Sequence, residues 1–373
     1  MRQTTMEEAL ARVMPGVESA AGEVDAAGAF PRPAIRALGE TGLLGLVSAV
    51  EVGGRGEGMR AAAAVVERLS GACASTAMVT VMHYCATAVL EAHGPESVRR
   101  EIAAGRHLTT LAFSEVGSRS QFWAPLSSAA AADGGVALDA RKSWVTSAGE
   151  ADSYVWSSRP LTAEGASTLW LVPAGTSGVE VAGAFDGLGL RGNSSRPMSA
   201  AGAAVPLDAR LGPDGGGFDI MMGVVLPWFQ VLSAAFSVGL AEAAIAKTAR
   251  HATATRFEHL GESLADQPVN RAHIARMRIQ ADQARGLLLD TLAAVEAGRP
   301  DAMLRVLEVK PAASEAAVAV TDLAMRVCGG AAFRREVGVE RNFRDARAAT
   351  VMAPTTDALH DFIGRAVCGL PLF

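Results

Sequence analysis

The sequence predicts an α+β fold in which helices come first, a small β segment follows, and a helical bundle closes the chain. Three observations predict it. Residues 1–108 and 218–373 carry apolar side chains at helical spacing in an alanine-rich chain, and alanine favours helix. Between them, short alternating stretches are separated by Gly, Asp and Ser, which is strand chemistry with tight turns. The chain has 373 residues, half apolar and one-fifth charged, enough to bury a core of several layers.

The elements follow in order. In the first domain, 1–108, "PAIRALGETGLLGL" predicts a helix closed by Gly42, and Gly53 to Gly58 a loop. "MRAAAAVVERLSGACASTAMVTVMHYCATAVLEAHG" predicts two helices with a stop at Gly94, and "PESVRREIAAGR" a short one with Pro95 at its first turn. In the second domain, 109–217, "HLTTLAFSEV", "GVALDARKSWVTSAG", "DSYVWSSR", "STLWLVPAG" and "VEVAGAF" read as strands. In the third, 218–373, three long amphipathic runs precede a last helix that begins near Thr356. "RDAR", Arg344 to Arg347, reads as a turn ahead of the apolar run Ala348 to Ala353.

Net charge is −5 and the pI is near 5.9, without clustered Lys or Arg, which argues against a nucleic-acid partner. The opening "MRQTTMEEALARVMPG" has no secretory apolar region, and no uninterrupted apolar run reaches the roughly 18 residues of a membrane span. Cys73, Cys85, Cys328 and Cys368 are scattered, with neither metal-ligand spacing nor disulfide density. The expectation is a cytoplasmic protein with no metal and no membrane partner.

Six segments, in order, carry a family resemblance: "LAFSEVGSRS", "KSWVTSAGEADSYVW", "FDGLGLRGNSSRPM", "RFEHLGESLADQP", "RVCGGAAF" and "ERNFRDAR". Together they resemble the acyl-CoA dehydrogenase superfamily over nearly the whole chain. The resemblance implies an N-terminal helical domain, a central small β-barrel and a C-terminal four-helix bundle. It also implies bound FAD and a homodimer or homotetramer in which a neighbouring subunit completes the cofactor site. Carried over residue by residue, it assigns the cofactor to Phe113, Ser114, Trp144, Thr146, Arg256, Gln267, Arg326, Gly329, Gly330, Thr355 and Asp357. Residue chemistry agrees: a flavin ring needs hydrogen-bond donors and an aromatic wall, and Ser114, Trp144 and Thr146 supply both. Arg256 is expected on the long helix after the β domain. Arg326 stands where the family often has Gln, and a fixed cation suits a diphosphate.

Removing a proton next to a thioester carbonyl needs a base within hydrogen-bond reach. The position at which the resemblance implies a Glu holds Ala353, between Met352 and Pro354. The second position used in the family lies on the long helix, where Met221 to Leu240 contains no Asp or Glu and offers only Gln230. Ser120, Gln230, Met352 and Ala353 are the expected substrate-pocket residues. His83 is the candidate for acid–base work, because an imidazole titrates near neutrality; the alternative is a core histidine held by a backbone carbonyl. "VVLPWF" and the proline of "VMAPTTD" resemble the branch of the superfamily that uses reduced flavin and oxygen. That branch implies oxygen as co-substrate and admits a separate flavin reductase as partner. The leading expectation is therefore an oxygen-dependent flavin oxygenase or oxidase acting on an acyl thioester or a small aromatic metabolite. An acyl-CoA dehydrogenase with a displaced base and a non-catalytic subunit of a heteromeric dehydrogenase are the alternatives.

Overall fold

A computed structural model describes residues 4–372. The chain divides into two compact units. The first comprises Met1–Val65, Ser75–Gly187 and Arg191–Phe229; the second comprises Val66–Ala74, Leu188–Leu190 and Gln230–Phe373. The N-terminal helices and the β segment thus fall in one unit.

The helices of the N-terminal segment are α1 (Met6–Ala27), α2 (Arg32–Glu40), α3 (Met59–Ala72), α4 (Ala74–His93) and α5 (Glu96–Ala103). α1 starts at a capping box in which Thr5 and Glu8 satisfy each other's backbone N–H. α2 ends at Thr41, and Gly42 at φ +75° turns the chain.

The strands are β1 (Thr109–Ala112), β2 (Ser128–Ala132), β3 (Gly135–Val145), β4 (Ser153–Ser158), β5 (Thr168–Pro173), β6 (Val179–Val181), β7 (Arg196–Pro206) and β8 (Arg210–Leu211). They form two four-stranded sheets, ordered β1-β4-β5-β8 and β2-β3-β7-β6. β1 and β4 are parallel; the other pairs are antiparallel. An isolated bridge between Glu115 and Lys142 joins the continuation of β1 to β3.

The helical return is α6 (Gly217–Ile220), a π-helical turn at Met221–Val225, and α7 (Leu226–Ala254). Then come the short pair β9 (Arg256–Phe257) and β10 (Glu262–Ser263), α8 (Pro268–Glu296), α9 (Ala302–Cys328), α10 (Val339–Val351) and α11 (Thr356–Val367). Gly217–Ala254 and Ala302–Phe333 are long and apolar enough to cross a bilayer, but 83% of the most apolar window of the first is buried inside the protein, as in a core helix. Arg344 to Arg347 are not a turn: they lie inside α10, whose apolar face buries Ala346 and Ala349.

His83 shows why α4 and β1 belong to one unit. Its ring is fully buried. Nε2 lies 3.0 Å from the Leu44 carbonyl, and the Thr109 N–H donates to Nδ1 at 3.2 Å. The ring therefore donates to one backbone group and accepts from another. Both nitrogens are used, which corrects the expectation that His83 does acid–base chemistry: it is a structural tie. Burial pushes its pKa down to about 4.

A titration follows from this. The folded protein keeps His83 neutral while the unfolded chain protonates it near 6.5, so stability falls as pH drops from 6.5 towards 4. At pH 5 the loss from this group is about 2 kcal/mol. A His83→Asn variant is expected to lose about 1–3 kcal/mol near pH 7.5, as for broken buried hydrogen bonds, and to show a shallower acid decline in urea unfolding. Equal pH slopes in the two proteins would contradict this role.

Candidate active site

In the first unit, the site is organised around a buried ion pair. Lys142 and Glu115 are 0% and 2% exposed, with Nζ 2.5 Å from Oε1. Lys142 also donates to the Ser157 carbonyl at 2.7 Å and to Ser157 Oγ at 2.9 Å. Glu115 accepts from the N–H groups of Leu126 and Ser127 and from Ser127 Oγ. Burial alone raises the Glu115 pKa, but the ammonium and these donors outweigh it and leave the carboxyl below its ordinary range. Burial pushes Lys142 down to about 8, so the pair is ionic at neutral pH.

This pair pins the residues after β1 against the end of β3. The Ser143 N–H donates to the Ser114 carbonyl at 2.8 Å, and the Val116 N–H to the Arg141 carbonyl at 3.2 Å. Phe113 is buried and stacked on Phe122, with centroids 6.3 Å apart. Ser120 lies part-exposed in the turn that follows.

Two residues beyond Lys142 the strand pattern breaks. Side chains two apart on a strand share a face. Lys142 points into the core, yet Trp144 is 70% exposed. The cause is a register shift between Lys142 and Val145, with Trp144 at φ +56°. An irregularity of this kind re-aims a side chain, and such strain gathers at functional sites. Thr146 is buried just past it, with Oγ1 3.2 Å from Ser195 Oγ. The Ser147 N–H donates to the Asn193 carbonyl, and the Ala148 N–H to the Ser194 carbonyl. An outward indole beside a held hydroxyl is what the face and polar edge of a flavin ring require, so these residues fit FAD.

In the second unit, the expected cofactor residues lie at element ends. Arg256 is not on the long helix. α7 stops at Ala254, and Arg256 stands on β9, exposed, with Nη1 donating to the Gly261 carbonyl at 2.8 Å. Gln267 caps α8 and donates to Glu262. Arg326 is exposed in the last turn of α9 and makes no ion pair among the described residues. Gly329 follows at φ +56°, ψ −136°, a conformation available to glycine. A Cβ at Gly329 or Gly330 would meet nothing within 4 Å. Open backbone beside a free guanidinium suits an anionic diphosphate. Thr355 caps α11 by accepting from the Ala358 N–H at 3.4 Å, and Asp357 is exposed in that helix's first turn.

The substrate-pocket candidates of this unit differ from one another. Gln230 is fully buried on α7, and neither its amide nitrogen nor its oxygen has a partner among the described residues. Met352 and Ala353 are part-exposed between α10 and α11. The carbonyls flanking Ala353 accept from Lys310 on α9: Nζ lies 2.7 Å from Met352 O and 2.6 Å from Pro354 O. Sequence reading missed Lys310. Its signal was a lysine flanked directly by Val309 and Pro311. It also treated Glu115 and Lys142 only as neighbours of Ser114 and Trp144.

The buried pair makes a stability prediction. Lys142→Met leaves the Glu115 charge uncompensated and is expected to cost about 3–5 kcal/mol in urea unfolding, with FAD content falling in parallel. Adding Glu115→Gln to that variant should recover much of the loss; a double variant as unstable as the single one would contradict the coupling.

Family comparison agrees with this layout. The chain matches the models for the acyl-CoA dehydrogenase N-terminal domain over residues 1–105, the middle domain over 110–201 and the C-terminal domain over 215–368. It is 29% identical to human mitochondrial short-chain specific acyl-CoA dehydrogenase, covering 90% of this chain and 82% of that protein. It is 28% identical to an L-prolyl-[peptidyl-carrier protein] dehydrogenase of Pseudomonas fluorescens, covering 88% of each. The fold matches the structure of the FAD complex of PigA with a TM-score of 0.89 at 20% identity, over 98% of this chain and 96% of that one. The outward Trp144, the held Thr146 hydroxyl and three successive domain matches lead to one conclusion: the chain belongs to the acyl-CoA dehydrogenase family of oxidoreductases, and its cofactor is FAD.

Proposed function

We propose that this protein oxygenates an acyl thioester, using oxygen and flavin reduced by a separate reductase, without a carboxylate at position 353. The observation that carries this reading is the Met352–Pro354 segment, where a dehydrogenase of this family is expected to present its base. Its side chains are apolar, and the carbonyls on either side of Ala353 are occupied by Lys310. The Met221–Leu240 stretch offers no acid either, and the Gln230 amide cannot take up a proton. Relatives named for coenzyme A and carrier-protein thioesters support the substrate class.

When bound, FAD supplies the two-electron redox chemistry. Phe113, Ser114, Trp144 and Thr146 would hold its ring, the indole as an aromatic wall and the hydroxyls as hydrogen-bonding groups. Arg256, Gln267, Arg326, Gly329 and Gly330 would hold the diphosphate and adenosine end, with Thr355 and Asp357 at the start of α11 also assigned to the cofactor. Gln230, Met352 and Ala353 of the second unit would border the substrate. The assembly is a homodimer or homotetramer. The dehydrogenase names of the relatives favour a second reading, α,β-dehydrogenation with the base elsewhere.

Two experiments test this. FAD-loaded protein mixed anaerobically with butyryl-CoA or octanoyl-CoA is expected to keep its visible flavin band, whereas protein whose flavin is first reduced chemically and then mixed with oxygen and thioester should consume oxygen in step with product. Anaerobic bleaching by the simple acyl-CoAs would favour the second reading. Ala353→Glu is expected to install such bleaching. Separately, Trp144→Ala should weaken FAD binding by about 0.5–1.5 kcal/mol in an equilibrium titration, the worth of a ring–ring contact. An unchanged affinity would remove Trp144 from the flavin site.

A further inference from the structure

We propose that Lys310 is a positioning residue that fixes the Met352–Pro354 segment for catalysis. The inference rests on the reading that this segment borders the substrate.

Lys310 is fully buried on α9, on a face that also buries Val306, Leu307, Ala313 and Ser314. Burying an ammonium is costly, and burial pushes its pKa down to about 7. Packing α9 against its neighbours would be served as well by an apolar residue in that slot. A lysine adds directed donors. Nζ reaches the carbonyls of Met352 and Pro354, residues on either side of Ala353, at 2.7 and 2.6 Å. Two bonds from one atom to carbonyls two residues apart fix both the place and the orientation of the peptide units between them.

The segment needs such a hold. α10 ends with its C-cap at Met352, and α11 begins with its N-cap at Thr355. Ala353 and Pro354 lie between, outside either helix. With the clip in place, residue 353 keeps one position at the edge of the site. Without it, the segment samples several, and a misplacement of about 1 Å near reacting atoms costs about 10²-fold in rate.

The test compares FAD-loaded wild type with Lys310→Met, which fills the slot but cannot donate. Amide hydrogen exchange reads the clip itself. The variant is expected to exchange at least about tenfold faster at residues 350–356, with β3 unchanged and full FAD content. Steady-state kinetics with the thioester that wild type oxidises read its use: kcat/KM should fall by about 10²-fold. Lys310→Gln, a shorter donor, should lie between the two, and it replaces the methionine variant if that fails to accumulate. Unchanged exchange overturns the proposal. So does faster exchange with unchanged kcat/KM, which would make the lysine merely structural. A wild type that oxidises no thioester sinks the proposed function and this role together, whereas an active wild type with an indifferent variant sinks this inference alone.

Discussion

The buried pair of Lys142 and Glu115 is the constraint on which the first unit's site depends. Neither charge reaches water, so each must be met by protein groups or the fold would not tolerate it. Meeting them draws in Ser127, Ser157 and the backbone of Leu126. With Glu115 and Lys142 themselves, these groups come from four separate stretches of chain, and the pair holds them together. Ser114 precedes Glu115 and Trp144 lies two residues past Lys142, so the residues proposed for the flavin inherit their placement from the pair.

The strand then does something that period-two geometry forbids. A regular β3 would bury Trp144 on the same face as Lys142. The register shift and the positive φ turn the indole outward instead. A large exposed aromatic on a strained backbone is unfavourable by itself, and under the proposed function a bound planar cofactor would offset that cost. Hydrogen bonds from Ser147 and Ala148 to Asn193 and Ser194 keep the distorted segment in place. Rigidity behind the site and exposure in front of it are thus two results of one arrangement.

The second unit uses buried lysines differently. Lys310 donates to the Met352 and Pro354 carbonyls, and Lys247 likewise donates to the Gly338 carbonyl and to Asn342 Oδ1. Burial lowers the pKa of Lys247 to about 8 and of Lys310 to about 7. The piece that Lys310 fixes carries no acid, which separates the proposed chemistry from proton abstraction by a residue at that position.

Much of this protein was legible in its sequence. Helical period, turn residues and alternating stretches determined the order of helices, strands and helices, because those signals are local. Six short motifs in order carried the resemblance to the family, and that resemblance implied its cofactor. The alanine at 353 was equally plain. Tertiary structure alone decided the rest. It made His83 a tie between Leu44 and Thr109 rather than an acid or base, and it moved Arg256 off the helix. It also turned Trp144 outward and set Lys310 on the carbonyls around Ala353. Each of these depends on partners distant in the chain, and hydrogen-bond satisfaction of a buried group is settled only when those partners meet.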